Sequence, residues 1–227
     1  MPGIPFSELI ARYRKVETAA ISDAMEPQLS AMDGEIKSVI GLTKIAGPAM
    51  TVRGYPADEL TIGKAIETAQ KGDVIVVDLF GKVRDGTFAG DNLGTSIATR
   101  TRRGMVIHGG IRDLAGIHPI PDFGVFVRGV DPTAIANVTL LGINTPIRIN
   151  EVTVLPGDIV LGTMGGVIFI PAHLAQEVVE HSEITRLRDE FGHQRLREGR
   201  YTPGQVDREW TPEIQADFEA WKKARGR

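Results

Sequence analysis

Two short segments of this chain gather residue types capable of chemistry. Gly90-Asp91-Asn92-Leu93-Gly94 is followed, one helix later, by Gly109-Gly110-Ile111-Arg112-Asp113. A glycine at a helix start lets a ligand approach the backbone, and the free amides of a helix N-terminus attract anions. The amides of Asp91, Asn92 and Leu93 are therefore candidates for holding a carboxylate, beside Gly90. In the second segment Arg112 offers paired donors suited to a carboxylate or an enolate oxygen. Asp113 is a hard oxygen ligand suited to Mg²⁺ or Mn²⁺. Taken singly, each segment has a plainer reading: Asp91 and Asn92 cap a helix, and Arg112 and Asp113 sit exposed on a strand-end loop. Together they are more specific. A strand–helix–strand unit sets both at the carboxyl ends of strands, where ligands of open α/β sheets collect.

The elements that must position these residues are legible from periodicity. Residues 74–79 and 105–107 are apolar runs that read as buried strands, with Gly109 and Gly110 forming a tight turn after the second. Further strands are expected over 47–53, 125–128, 145–149, 152–154, 158–161 and 167–170. Helices are expected within 7–25 (two of them), over 62–71, after Gly90, over 172–180, over 183–198 and over 212–223. The helix after Gly90 ends in Arg100, Arg102, Arg103 and Gly104, which reads as compensation of the helix dipole. The first half alternates strands and helices and the second half is strand-rich, so the class is α/β with a mixed sheet. Residues 1–171 form the core. Residues 172–227 form a charged helical extension with too few apolar residues for a core of its own, expected to pack on its own domain or on a neighbouring subunit.

Other candidates are weaker. His108 could face the site, although a core or strand-end role suits it better. Asp78 and Asp85 lie near the loop before Gly90, where one could orient water. His118, His173, His181 and His193 lack metal-ligand spacing. No glycine-rich dinucleotide loop, Walker sequence or nucleophile elbow occurs.

Bulk properties exclude several classes. The 227 residues carry a net charge of −3, without the basic excess that broad nucleic-acid binding requires. With no cysteine, disulfides, thiolate catalysis and zinc–sulfur sites are excluded. The start, Met1-Pro2-Gly3-Ile4-Pro5-Phe6, reads as no signal peptide, and no apolar run approaches the roughly 20 residues of a membrane span. The expectation is a cytoplasmic protein without membrane association.

The paired motifs resemble the RraA-like family, which contains the regulators of ribonuclease activity A and class II pyruvate aldolases acting on 4-hydroxy-4-methyl-2-oxoglutarate and 4-carboxy-4-hydroxy-2-oxoadipate. The resemblance covers roughly residues 16–171. Thr18-Ala19-Ala20-Ile21-Ser22-Asp23-Ala24 is similar to the family's opening helix, and Gly47-Pro48-Ala49 and Pro156-Gly157-Asp158 also fit. It implies a swivelling β/β/α-type single domain assembled as homotrimers or homohexamers with sites between subunits. It also implies that Gly90, Asp91, Asn92, Leu93 and Arg112 bind the pyruvyl portion of a 2-oxo acid and that Asp113 holds the metal, directly or through water. In the aldolases an acidic residue of a neighbour's C-terminal region approaches the metal waters, and Glu190 and Glu198 are the possible equivalents. The family commonly carries acidic residues where this chain has Gly162-Thr163-Met164-Gly165-Gly166-Val167, which marks a divergent subgroup.

The leading expectation is a divalent-metal-dependent lyase that cleaves a C–C bond in a 2-oxo acid, by retro-aldol reaction, oxaloacetate decarboxylation or both. Arg112 and Asp91 are the expected catalytic residues. The alternative is a non-catalytic regulator that inhibits a ribonuclease by protein contact. The long tail beyond Pro171 favours the aldolase branch, because the regulators end soon after the core. A methyltransferase reading has no glycine-rich S-adenosylmethionine loop behind it.

Overall fold

The computed structural model describes residues 3–25, 35–40, 44–55, 62–134 and 139–226. Met1 and Pro2 of the N-terminal stretch lie outside them. In chain order the elements are α1 (Phe6–Tyr13), α2 (Thr18–Met25), β1 (Lys37–Ser38), β2 (Ile45–Tyr55), α3 (Ile62–Thr68), β3 (Val74–Asp78), β4 (Thr87–Ala89), α4 (Asp91–Thr101), β5 (Gly104–Ile111), α5 (Leu114–Ile117) and β6 (Gly124–Val130). They continue with β7 (Thr139–Ile143), β8 (Ile147–Ile149), β9 (Val152–Val154), β10 (Ile159–Thr163), β11 (Gly166–Ile170), α6 (Ala175–Arg197), α7 (Pro203–Val206) and α8 (Pro212–Lys223).

A strand buried on both faces needs no polar alternation, which is why β3 carries the continuous apolar run 74–77 and β5 the run 105–107. All five residues of β3 and all eight of β5 are buried. Val74 and Val76 point into one core layer, with Phe126, Ile147, Val154 and Phe169. Ile75 and Val77 point into the other, with Ile97, Ile107, Ile117 and Phe123 beneath α3, α4 and α5. The main sheet is mixed, with order β1-β6-β5-β3-β2-β10-β11, β4 added beside β5 and β7 beside β2. Strands β2, β3, β5 and β6 run parallel, and β10 and β11 are antiparallel additions. The outermost strands β1 and β11 approach each other, so the sheet nearly closes. A separate hairpin, β8–β9, covers one face. This is the mixed α/β single domain expected from the sequence.

Several boundaries differ from the sequence expectation. Gly109 and Gly110 are not a turn but lie inside β5. A side chain on Gly109 would sit 2.9 Å from Leu79, and one on Gly110 2.7 Å from the Val83 carbonyl oxygen, so both are small because residues 79–83 lie flush against the strand. The two helices expected over 172–180 and 183–198 are one, α6, preceded by a short 3₁₀ turn. Buried Ser182 sits where they were parted, and its hydroxyl donates to the Val178 carbonyl 2.7 Å away, a bond within the helix.

The first turns of α6 join the body. Ala175, Val178 and Val179 pack with Tyr13, Ile21 and Ile170. The buried Tyr13 hydroxyl donates to the Ala175 carbonyl at 2.6 Å, and Arg12 clasps Glu183 with two bonds. The far end of α6 forms a second small core with α8, from Phe191, Ile214, Phe218 and Trp221, with Tyr201 and Trp210 packed against it. The extension therefore does contain a core. Four of its side chains are aromatic rings gathered around Phe191, an arrangement that a count of aliphatic residues underestimates.

Candidate active site

Strand pairing brings the two motifs together. β4 runs parallel to β5 with Thr87 opposite Gly110 and Ala89 opposite Ile111. The ladder continues one step further, because the Arg112 amide donates to the Ala89 carbonyl at 3.1 Å. The next residue, Gly90, is the N-cap of α4, so the helix N-terminus is delivered beside Arg112 and Asp113.

The contact there is close. A Cβ on Gly90 would lie 2.4 Å from Asp113 Oδ2 and 3.4 Å from Arg112 Nε. The Asp113 carboxylate thus rests over the bare Cα of Gly90. Arg112 Nε lies 3.2 Å from Asp113 Oδ2, which orients both groups. Asp113 adopts the left-handed conformation (φ 56°, ψ 39°), which few non-glycine residues tolerate and aspartate tolerates best with asparagine. It stands at the N-cap position of α5 yet makes no capping bond, so its carboxylate is left for other partners.

The amides of α4 are only partly available. Asp91 Oδ1 accepts from the Asn92 amide at 2.8 Å, while the Asp91 and Leu93 amides have no protein partner among the described residues. The expected three-amide cradle is a two-amide one, and Asp91 holds its position by bonding its neighbour rather than by capping. Gly94 and Gly116 let α4 and α5 meet: Ile117 would lie 3.3 Å from a Cβ on Gly94, and Asp91 Cβ 2.6 Å from one on Gly116. The contribution of Gly116 was not anticipated, and its only sequence signal is a glycine three residues after Asp113. Strand β4 was missed as well, since three residues show no periodicity.

Arg112 and Asp113 are 40% and 47% exposed, and Asp91 and Asn92 are exposed too, so within one chain the site is an open shelf. No group of three or more His, Cys, Asp or Glu placed to hold a metal occurs among the described residues. Asp113 alone does fit Mg²⁺ or Mn²⁺ as a single-carboxylate site, since Mg²⁺ commonly keeps several waters and binds one or two carboxylates plus substrate oxygens. Glu190 and Glu198, the candidates for completing a neighbour's site, are engaged along α6 by Arg186 and by Arg195 (2.8 Å) respectively.

Asp78 and His108 form a separate knot. They face each other across β3 and β5, with His108 Nδ1 3.4 Å from Asp78 Oδ1. Asp78 also accepts from the Phe80 amide at 2.9 Å and lies 3.8 Å from Arg53 Nε. These bonds pin the start of the loop that overlies Gly109 and Gly110. Asp85 lies further along it, its amide donating to Thr133 Oγ1 at 2.8 Å.

Comparison with known proteins agrees with this architecture. A Halalkalibacterium halodurans protein, provisionally named 4-hydroxy-4-methyl-2-oxoglutarate aldolase, is 32% identical over 183 residues, covering 81% of this chain and 86% of its own. A Thermus thermophilus protein named 4-hydroxy-4-methyl-2-oxoglutarate aldolase is 27% identical over 69% of this chain and 93% of its own. Among solved structures, Streptomyces coelicolor RraAS2, described as an unusual member of the RNase ES inhibitor RraA protein family, superposes with a TM-score of 0.76. It is 26% identical over 84% of this chain and 98% of its own. The family model described as RraA-like, Aldolase/RraA, matches residues 18–169, which include both motifs and the strands that join them, and the chain belongs to the RraA-like family.

Proposed function

We propose that this protein is a divalent-metal-dependent lyase that cleaves a C–C bond in a 2-oxo acid. The reaction would be a retro-aldol cleavage of the 4-hydroxy-4-methyl-2-oxoglutarate type, with oxaloacetate decarboxylation as a second outlet of the same site. The observation that carries this reading is the placement of Asp113 over Gly90, with Arg112 and two free helix amides alongside. The aldolase names of the similar proteins support it.

The substrate carboxylate would accept from the Asp91 and Leu93 amides, where the partial charge of the helix end favours an anion. Arg112 would donate to the 2-oxo oxygen and stabilise it as negative charge develops. Asp113 would hold Mg²⁺ or Mn²⁺, which supplies Lewis-acid polarisation of the 2-oxo acid when bound. In the retro-aldol direction the C4 hydroxyl proton passes to a water held by Asp91, and the C3–C4 bond breaks. The C4 oxygen becomes a carbonyl, and the bonding pair becomes the enolate of pyruvate, which takes a proton at C3. In oxaloacetate the same bond breaks with loss of CO₂, and no proton need be removed from C4. Among the described residues nothing covers the shelf to exclude water, and a second copy in a homotrimer or homohexamer would provide that cover.

The test is pyruvate release from both substrates, with Mg²⁺ and with EDTA, beside Arg112→Ala and Asp113→Ala. Metal-dependent release lost in Arg112→Ala, with Asp113→Ala no longer stimulated by Mg²⁺, is the expected result. Unchanged release in either variant refutes the assignment. Likeness to the ribonuclease-inhibitor family structure favours a second reading, a regulator acting by protein contact. It takes precedence if neither substrate releases pyruvate above background and the protein inhibits a ribonuclease.

A further inference from the structure

The arginines after α4 do more than compensate a helix end. A cavity of about 520 Å³ opens at the amino-terminal edge of the sheet, and four cations from three parts of the chain line it: Arg14, Lys44, Arg102 and Arg103. Arg14 follows α1 and Lys44 precedes β2, so neither belongs to α4. Arg100, the basic residue in the last turn of α4, is committed elsewhere: its guanidinium crosses to the carbonyls of Glu67 and Ala69 on the neighbouring α3 segment. Arg14 and Arg103 also line an adjoining cavity of about 280 Å³ together with Lys71, which extends the basic surface.

These charges are poorly compensated. Lys44 pairs with Glu17 at 2.8 Å. Among the described residues Arg14, Arg102 and Arg103 have no carboxylate within ion-pairing distance, and Asp122 is the single acid of the lining. Arg103 donates through one terminal nitrogen to the Arg102 carbonyl at 3.0 Å, but its Nε is buried without a partner. Burial, and then the like charge of Arg14, hold the Arg103 guanidinium below its usual pKa. Converging cations and a buried unsatisfied N–H are both unfavourable in an empty site, and both are relieved by a seated anion.

We infer that this cavity binds a small organic phosphate carrying two or more negative charges. Guanidinium groups present N–H pairs matched to phosphate oxygens. The side chains of Ile45, Ala98, Ile120 and Pro121 give the walls an apolar part, and the volume lies within the range of small-molecule sites, so there is room for a carbon body beyond the phosphate. The cavity lies about 25–30 Å along β5 from Arg112, at the opposite end of the strand, so it is a second site and does not depend on the lyase reading.

The experiment is calorimetric titration of the full chain with pyrophosphate, in EDTA and at ionic strength fixed with NaCl. Saturable binding is expected, weakened about tenfold or more by Arg14→Gln combined with Lys44→Gln, since each removes a charge-assisted contact. Arg14 is exposed and Lys44 partly so, and the thermal midpoint of the double variant reports that it folds. Exposed Asp122→Asn, which removes the opposing charge, is expected to tighten binding, and Arg112→Ala is expected to leave it unchanged. No saturable heat, equal binding by the Arg14/Lys44 double variant, loss in Arg112→Ala, or binding of citrate but not of pyrophosphate would each overturn the inference.

Discussion

Gly90→Ala is the sharpest test of the site geometry. The backbone there is extended (φ −114°, ψ −160°), a conformation alanine adopts without strain. The added methyl, however, would stand 2.4 Å from Asp113 Oδ2, and real contacts of this kind seldom fall below 3.0–3.4 Å. The carboxylate must therefore retreat by about 0.6–1 Å, and a misplacement of about 1 Å costs on the order of 100-fold in rate. That is about 2.7 kcal/mol of transition-state stabilisation. The stability cost is smaller, because alanine at an N-cap in place of glycine costs about 1 kcal/mol or less. For a chain of this length that lowers the thermal midpoint by about 2–4 °C. Pyruvate release with saturating Mg²⁺, measured beside the thermal midpoint, separates the two effects. If the methyl acts through the carboxylate, Gly90→Ala should add almost nothing in an Asp113→Ala background. Near-normal turnover in Gly90→Ala, or full additivity in the double variant, would refute the claim that Asp113 works from its place over Gly90.

Three further predictions address the scaffold. Phe191→Ala removes the ring around which Tyr201, Trp210, Phe218 and Trp221 gather, at a cost of about 3–5 kcal/mol. Both tryptophans of the chain stand in this cluster, so their emission should shift to the red and melt before the main core; one unchanged cooperative transition counts against a separate small core. Arg195 binds Asp217 through two bonds of 2.7 Å and holds its carboxyl below the usual carboxylate range. A depressed acid contributes full stabilisation above its unfolded value of about 3.9 and loses it as pH falls through the folded value. Tryptophan emission should therefore hold from pH 7 to 5 and begin to change below about pH 4; Asp217→Asn should be weakened already at pH 7 and lack that acid step. Gly109→Ala would press a methyl to 2.9 Å from Leu79, and overpacking of about 1–3 kcal/mol should lower the thermal midpoint; an unchanged midpoint would mean that residues 79–83 yield freely.

Much of the fold was legible because the signals are local. Residues 74–77 of β3 and 105–107 of β5 are apolar at every step because both faces are covered, and α8 opens with Thr211 and Pro212, whose capping hydroxyl and fixed φ favour a helix start. The candidate motif was legible for the same reason: aspartate and arginine carry their chemistry in their side chains, and glycine offers a bare backbone wherever it stands. What tertiary structure alone decided rests on contacts between distant segments. Gly109 and Gly110 look like turn residues, and only the loop lying flush against them makes them part of a strand. Arg102 and Arg103 look like a helix end, and only the arrival of Arg14 and Lys44 makes them one wall of a basic cavity. β4 is three residues long and has no pattern of its own, yet its pairing with β5 carries Gly90 to Asp113. The sequence alone determined which groups could act. The side-by-side ladder of β4 and β5, closed by hydrogen bonds that no local pattern encodes, decided that they meet.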